Sequence, residues 1–173
     1  MVVLGLLVSA CSGGDPQPRA LPTLATASRT PAPTLAALPE AAKAKTPQGA
    51  DAFVRYFFSQ LNVAFSTSDA SIIKALQNGE CATCDNYQGA LEAARSAGHF
   101  LKGNSFEVRD VAAAPLQPLG TTAEVFGAVP PRSQVDARGV VLKELPAGSD
   151  FHLVAVLKHG PHGWLVSGLV QGS

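Results

Sequence analysis

The chain has 173 residues, and its 13 basic side chains balance its 13 acidic ones. No net charge draws it to nucleic acid or to an anionic surface, and no basic cluster interleaved with aromatics offers a base-stacking platform. Beyond residue 11 no stretch approaches the roughly 20 apolar residues of a membrane span.

The first eleven residues read MVVLGLLVSAC. Such a run is too short to cross a bilayer and ends in small residues before Cys11, the pattern of the apolar core of an export signal. Val8-Ser9-Ala10-Cys11 resembles the lipobox of bacterial secreted lipoproteins. That resemblance implies cleavage after residue 10 and a palmitate-type lipid anchor on Cys11. No Lys or Arg precedes the run, so the natural signal is expected to start upstream of Met1.

Residues 11–45 are rich in Pro, Ala, Thr and Ser and lack aromatic residues. Without large apolar side chains to offset chain entropy, this stretch is expected to be a disordered tether. As a flexible chain it would span roughly 30–35 Å. Residues 46–171 remain, enough for a single domain with its own core.

Thr46-Pro47 starts the first helix as N-cap and first helical residue. Phe53, Phe57 and Leu61 then recur at helical spacing, with Val54 and Phe58 widening the stripe. Tyr56 and Phe57 are neighbours, so one of them is expected to turn away from the interior. Ser66-Thr67-Ser68-Asp69 breaks the pattern and caps a short helix carrying Ile72, Ile73 and Leu76, which stops at Asn78-Gly79. A third helix runs from Thr83 or Asp85 as cap to Gly98.

The period then changes to two. Strands are predicted at Phe106–Arg109, Thr121–Val129, Val140–Leu145, Phe151–Lys158 and Trp164–Val170, the last two joined in a hairpin through His159–Gly163. Pro130-Pro131 must end the second strand or force a bulge. Helices first and an antiparallel sheet after define an α+β class. The order resembles the cone-shaped fold of nuclear transport factor 2, scytalone dehydratase, ketosteroid isomerase and the SnoaL-like proteins. That fold implies three helices packed on a curved, mostly antiparallel sheet of four or five strands. The stretch from Leu38 to Cys84, with its TPQGADAFVRY helix and C-x-x-C, is similar to an uncharacterised domain of actinobacterial lipoproteins. This resemblance implies an extracytoplasmic, membrane-anchored location and no established reaction.

Cys81-Ala82-Thr83-Cys84 could exchange disulfides, but it lacks a strand–helix setting of the thioredoxin kind. A local disulfide between the second and third helices is the preferred reading. No second C-x-x-C and no spaced histidine completes a metal site, and no cofactor motif occurs. His99, His152, His159 and His162 form no catalytic pattern. Asp51, Tyr56, Asp69 and Asp110 are the only polar groups placed near a cone interior. Tyr56 and Trp164 are the candidates for a pocket lining. The expected function is a non-catalytic binding or scaffolding domain for a cell-envelope protein or a small apolar ligand. Alternatives are a cavity enzyme of isomerase or dehydratase type, and a thiol-disulfide exchanger.

Overall fold

The structure, a computed structural model, describes residues 36–173. The expected signal, the expected lipid-anchor residue Cys11 and most of the expected tether lie outside the described residues.

The first helix, α1 (Pro47–Thr67), begins as the capping chemistry requires: Thr46 Oγ1 accepts the Gly49 amide at 3.0 Å. It ends at Ser68, whose backbone is left-handed (φ 49°, ψ 43°). A non-glycine residue there costs about 1–2 kcal/mol. Ser68 is held in place by burial and by donating its hydroxyl to the His99 carbonyl at 2.7 Å. Asp69 caps α2 (Ala70–Leu76) by accepting from the Ser71 amide. The cap of α3 (Ala82–Ser96) is neither Thr83 nor Asp85 but Cys81, whose sulfur accepts the Cys84 amide at 3.2 Å.

Seven strands follow in two hydrogen-bonded sheets. β2 (Glu107–Ala113), β3 (Thr121–Ala128), β6 (Asp150–Gly160) and β7 (Gly163–Gln171) form one, in the order β2-β3-β6-β7. β1 (His99–Lys102), β4 (Arg132–Asp136) and β5 (Val141–Leu145) form the other, in the order β1-β4-β5. Every pair is antiparallel. Pro130-Pro131 lies between β3 and β4, where the chain leaves one sheet for the other. Two strands exceed the five read from the pattern. β1 has only four residues, and β4 (RSQVD) buries only Val135, so neither carries an alternation.

Alternation is clean in β3, where Thr121, Ala123 and Val125 are buried while Thr122, Glu124 and Phe126 are exposed. Register places Val125 opposite Leu153, and Ala123 opposite Ala155. This inner face joins Phe53, Phe57, Phe58 and Leu61 of α1 and Ile72 and Ile73 of α2 in one core. The fold is therefore an α+β cone, three helices on a curved antiparallel framework.

Residues 36–45, read from sequence as the end of the tether, lie packed on the domain. A 3-10 turn spans Glu40–Lys43, and Ala42 is fully buried. Gly49 is needed beneath it, since a Cβ there would lie 2.0 Å from the Ala44 carbonyl oxygen. We refer to residues 36–45 as the strap.

Candidate functional site

The space between α1 and the sheets is occupied by rings. Phe58 of α1 lies 5.5 Å from Phe106 and 6.1 Å from Phe151, centroid to centroid, and Phe106 lies 5.9 Å from Phe151. Tyr87 of α3 and Phe65 meet at 5.7 Å and both approach Phe106 at about 6 Å. Burial raises the Tyr87 pKa. Asn62 fixes Phe106 at the centre: its amide donates to the Phe106 carbonyl, and its Oδ1 accepts the Ser105 and Phe106 amides, each at 2.9 Å. Sequence periodicity places Phe58, Tyr87 and Phe106 each in its own element but does not bring the three together; Phe106, expected to open a strand, lies just before β2.

Hollows of about 470 Å³ and 280 Å³ lie along α1, the second walled in part by Phe58 and Phe106, and two further hollows are mainly apolar. One is a flank cleft of about 150 Å³ lined by Phe65, Ser68, Leu91, His99, Leu101 and Gln134. Its polar groups engage one another: Gln134 Nε2 lies 3.0 Å from His99 Nδ1, and the Ser68 hydroxyl is spent on the His99 backbone. The other is an open apolar groove of about 370 Å³, lined by Ala114, Pro115, Leu119, Thr122, Val156 and Lys158. Leu119 stands 86 % exposed at its rim.

Neither Tyr56 nor Trp164 lines these cavities. Both are buried, and both hold the strap. The Tyr56 hydroxyl donates to the Ala36 carbonyl, while Gln60 Oε1 accepts the Ala36 amide at 3.3 Å. The Trp164 indole donates to the Ala44 carbonyl at 2.9 Å. Tyr56 and Phe57 are thus both buried, contrary to the expectation that one would turn outward, because the strap covers the Tyr56 side. Burial raises the Tyr56 pKa.

The remaining polar candidates do not converge. Asp51 pairs with Arg55 at 2.7 Å, Asp110 is exposed 3.6 Å from the same guanidinium, and Asp69 is a helix cap. His152 stacks on Phe126 at 4.3 Å on the outer sheet face, and His159 meets Trp164 edge-on at 4.8 Å. Among the described residues no three His, Cys, Asp or Glu side chains group as a metal site.

Cys81 and Cys84 form a disulfide, with Cα atoms 5.1 Å apart. Both are fully buried. The junction around them is bound to β7 by Thr83 Oγ1 donating to the Leu169 carbonyl at 2.8 Å and by the Asn78 amide donating to the Val166 carbonyl at 3.1 Å.

The layering of three helices on a curved antiparallel framework is that of an α+β cone, a fold it shares with a solved structure named below. The chain belongs to the family of unknown function DUF6318, whose pattern matches residues 25–129. No curated protein sequence matches it. Among solved structures it is similar to the intermembrane space region of chloroplast protein ARC6, at 10 % identity and TM-score 0.51, covering 73 % of this chain and 97 % of that one. It is also similar to Aln2 from a Streptomyces species (11 % identity, TM-score 0.45, 68 % and 85 % covered). An NTF2-like protein of unknown function in nutrient uptake from Rhodospirillum rubrum gives 15 % identity and TM-score 0.44, with 69 % and 98 % covered. At these identities the likeness concerns the fold alone.

Proposed function

We propose that this protein is a lipid-anchored lipoprotein of the extracytoplasmic membrane face, of actinobacterial type, whose domain binds a cell-envelope protein and does no catalysis. The observation that carries the binding reading is the packing of Phe58, Phe106 and Phe151 against one another beneath α1, in the space where an enclosed substrate would sit. The Val8–Cys11 pattern supports the anchor, and a buried disulfide suits an oxidising compartment. Thiol exchange is disfavoured because an incoming thiolate must reach a sulfur, and both sulfurs are buried. Contact surface is offered instead by the outer sheet face and the groove beside it, where Leu119, Phe126 and Val170 are exposed.

The test is site-specific photo-crosslinking of the full chain in its host, with the reactive side chain at position 119 or 126 and a control at exposed Glu92 on α3. A discrete protein adduct at 119 or 126 but not at 92 is the expected outcome. Its absence at both sites overturns the contact surface. Labelling with an alkyne palmitate analogue, lost in Cys11→Ala, tests the anchor separately.

A second reading, small-molecule binding, draws on the flank cleft, where the His99–Gln134 pair borders an apolar space of about 150 Å³. An isomerase or dehydratase would have to work there.

A further inference from the structure

The flank cleft owes its space to side-chain size. Tyr87, Ala90, Leu91 and Ala94 lie three or four residues apart along α3, so they share one face of the helix. Tyr87 and Leu91 reach inward to the ring cluster and the core, whereas Ala90 and Ala94 end at their Cβ atoms. Across the gap stands the smaller sheet. His99 and Leu101 alternate onto one face of β1, and register puts Gln134 of β4 opposite Leu101. Gly98 (φ 67°) turns α3 straight into β1, and the Ser68 hydroxyl ties the His99 carbonyl to the end of α1. The walls are thus fixed at both ends, with about 150 Å³ between them.

The lining selects by charge and by hydrogen bonding. None of the lining residues is Asp, Glu, Lys or Arg, so an ionised ligand would lose its hydration without gaining a counter-charge. Phe65, Phe100, Leu91 and Leu101 supply apolar wall. The polar side chains free to meet a ligand are His99 and Gln134, whose Nδ1 and Nε2 atoms lie 3.0 Å apart. A neutral imidazole has one donor and one acceptor, and a carboxamide has both kinds. With the amide donating to Nδ1, the His99 Nε2–H and the Gln134 Oε1 are left over. With the amide turned round, Nδ1–H donates to Oε1, and a bare Nε2 and the amide N–H groups are left over. Either way the pair retains both a donor and an acceptor. A hydroxyl is the smallest group that answers both.

We propose that the flank cleft binds a neutral single-ring molecule carrying one hydroxyl, of phenol or cyclohexanol size, with the ring between α3 and β1 and the hydroxyl at the His99–Gln134 pair. A space of about 150 Å³ with apolar walls takes a ring the size of benzene. Ala90, exposed on α3, marks the entrance. A hydrocarbon of the same shape would cover the donor and the acceptor without replacing their bonds to water, which sets the preference for the hydroxyl. Such a ligand presupposes the small-molecule reading of this cleft, and its binding is separate from the protein contact at Leu119 and Phe126.

The test is titration of the full chain with p-cresol and with p-xylene, which differ only in hydroxyl against methyl, followed by the chemical shifts of the Leu91 and Leu101 methyl groups. p-Cresol should bind at least about tenfold more tightly, the worth of one well-made hydrogen bond. In Ala94→Leu, which fills the cleft from α3, the p-cresol shifts should vanish while the thermal midpoint holds or rises. In His99→Phe the two compounds should bind alike, and a preference for p-cresol retained there overturns the assigned contact. Equal binding of the two to the parent overturns the hydroxyl assignment alone. p-Cresol binding undiminished in Ala94→Leu puts the ligand elsewhere and overturns the proposal. No saturable shift below about 10 mM p-cresol overturns the cleft as a ligand site, and the small-molecule reading with it.

Discussion

Replacing Phe58 by alanine asks directly whether the cone is filled. Phe58 is 1 % exposed, and its ring meets Phe57 at 5.7 Å, Phe106 at 5.5 Å and Phe151 at 6.1 Å. A Phe→Ala change in a close-packed core costs about 3–5 kcal/mol, the sum of lost transfer energy and the residual void. Edge-to-face contacts such as those with Phe57 and Phe106 contribute roughly 0.5–1.5 kcal/mol each within that sum. A domain of this size has about 5–15 kcal/mol in all, so the variant should remain folded at low temperature. Its thermal midpoint should fall by roughly 10–20 °C. Unfolding followed by the fluorescence of Trp164, the only tryptophan, measures this directly. The variant should also gain what the parent lacks, a dry apolar hole that a benzene-sized molecule stabilises. A loss below about 1 kcal/mol would mean that position 58 already borders empty space or solvent. The interior would then not be filled, and room for a substrate inside the cone would have to be restored.

Three further outcomes follow from single contacts. Trp164→Phe removes the indole bond to the Ala44 carbonyl and should cost about 1 kcal/mol, with faster hydrogen exchange at residues 42–46 but not in β3. Paired substitution of Cys81 and Cys84 by serine opens a four-residue loop and should cost about 2 kcal/mol in chemical denaturation. In the parent, a reductant plus an alkylating agent should modify these cysteines only once the protein unfolds, as mass spectrometry would show. Asp136 has its pKa lowered, chiefly by the Val140 amide and then by the Arg138 and Gly139 amides and the Arg138 side chain. A lowered folded pKa means that its stabilisation of the β4–β5 turn is complete above the unfolded value and fades as pH falls through the folded one. Amide exchange at Arg138 and Val140 should therefore accelerate below about pH 4, and Asp136→Asn should show the faster exchange at neutral pH.

Legibility in the sequence followed the strength of local chemistry. Thr46-Pro47, the Phe53/Phe57/Leu61 stripe and Asp69 each carry a signal within one or two turns of chain, and each sits where that signal places it. The β6–β7 hairpin was legible because its strands are long and flank a Gly-Pro-His-Gly turn. β4 was not, because RSQVD buries one side chain and is a strand only by virtue of partners on both sides. The Cys81 cap was obscured by better capping residues beside it. Thr83 instead spends its hydroxyl on β7, a contact 86 positions away that no local pattern encodes. The strap was hidden for the same reason. Alanine-rich sequence has no apolar bulk of its own, and its order comes from Tyr56, Gln60 and Trp164, which supply partners for its backbone groups.

Tyr56 and Trp164 stand out in the sequence as large side chains with a polar handle, a common equipment of ligand sites. Here the handles grip the protein's own chain, at backbone groups of residues 36 and 44. The space beneath α1 where an enclosed ligand would sit is taken by Phe58, Phe106 and Phe151. The polar groups of Tyr56 and Trp164 are used by the strap. Exposed apolar side chains remain at Leu119 on the groove rim and at Phe126 and Val170 on the outer face of the larger sheet, the surfaces that the proposed partner contact uses.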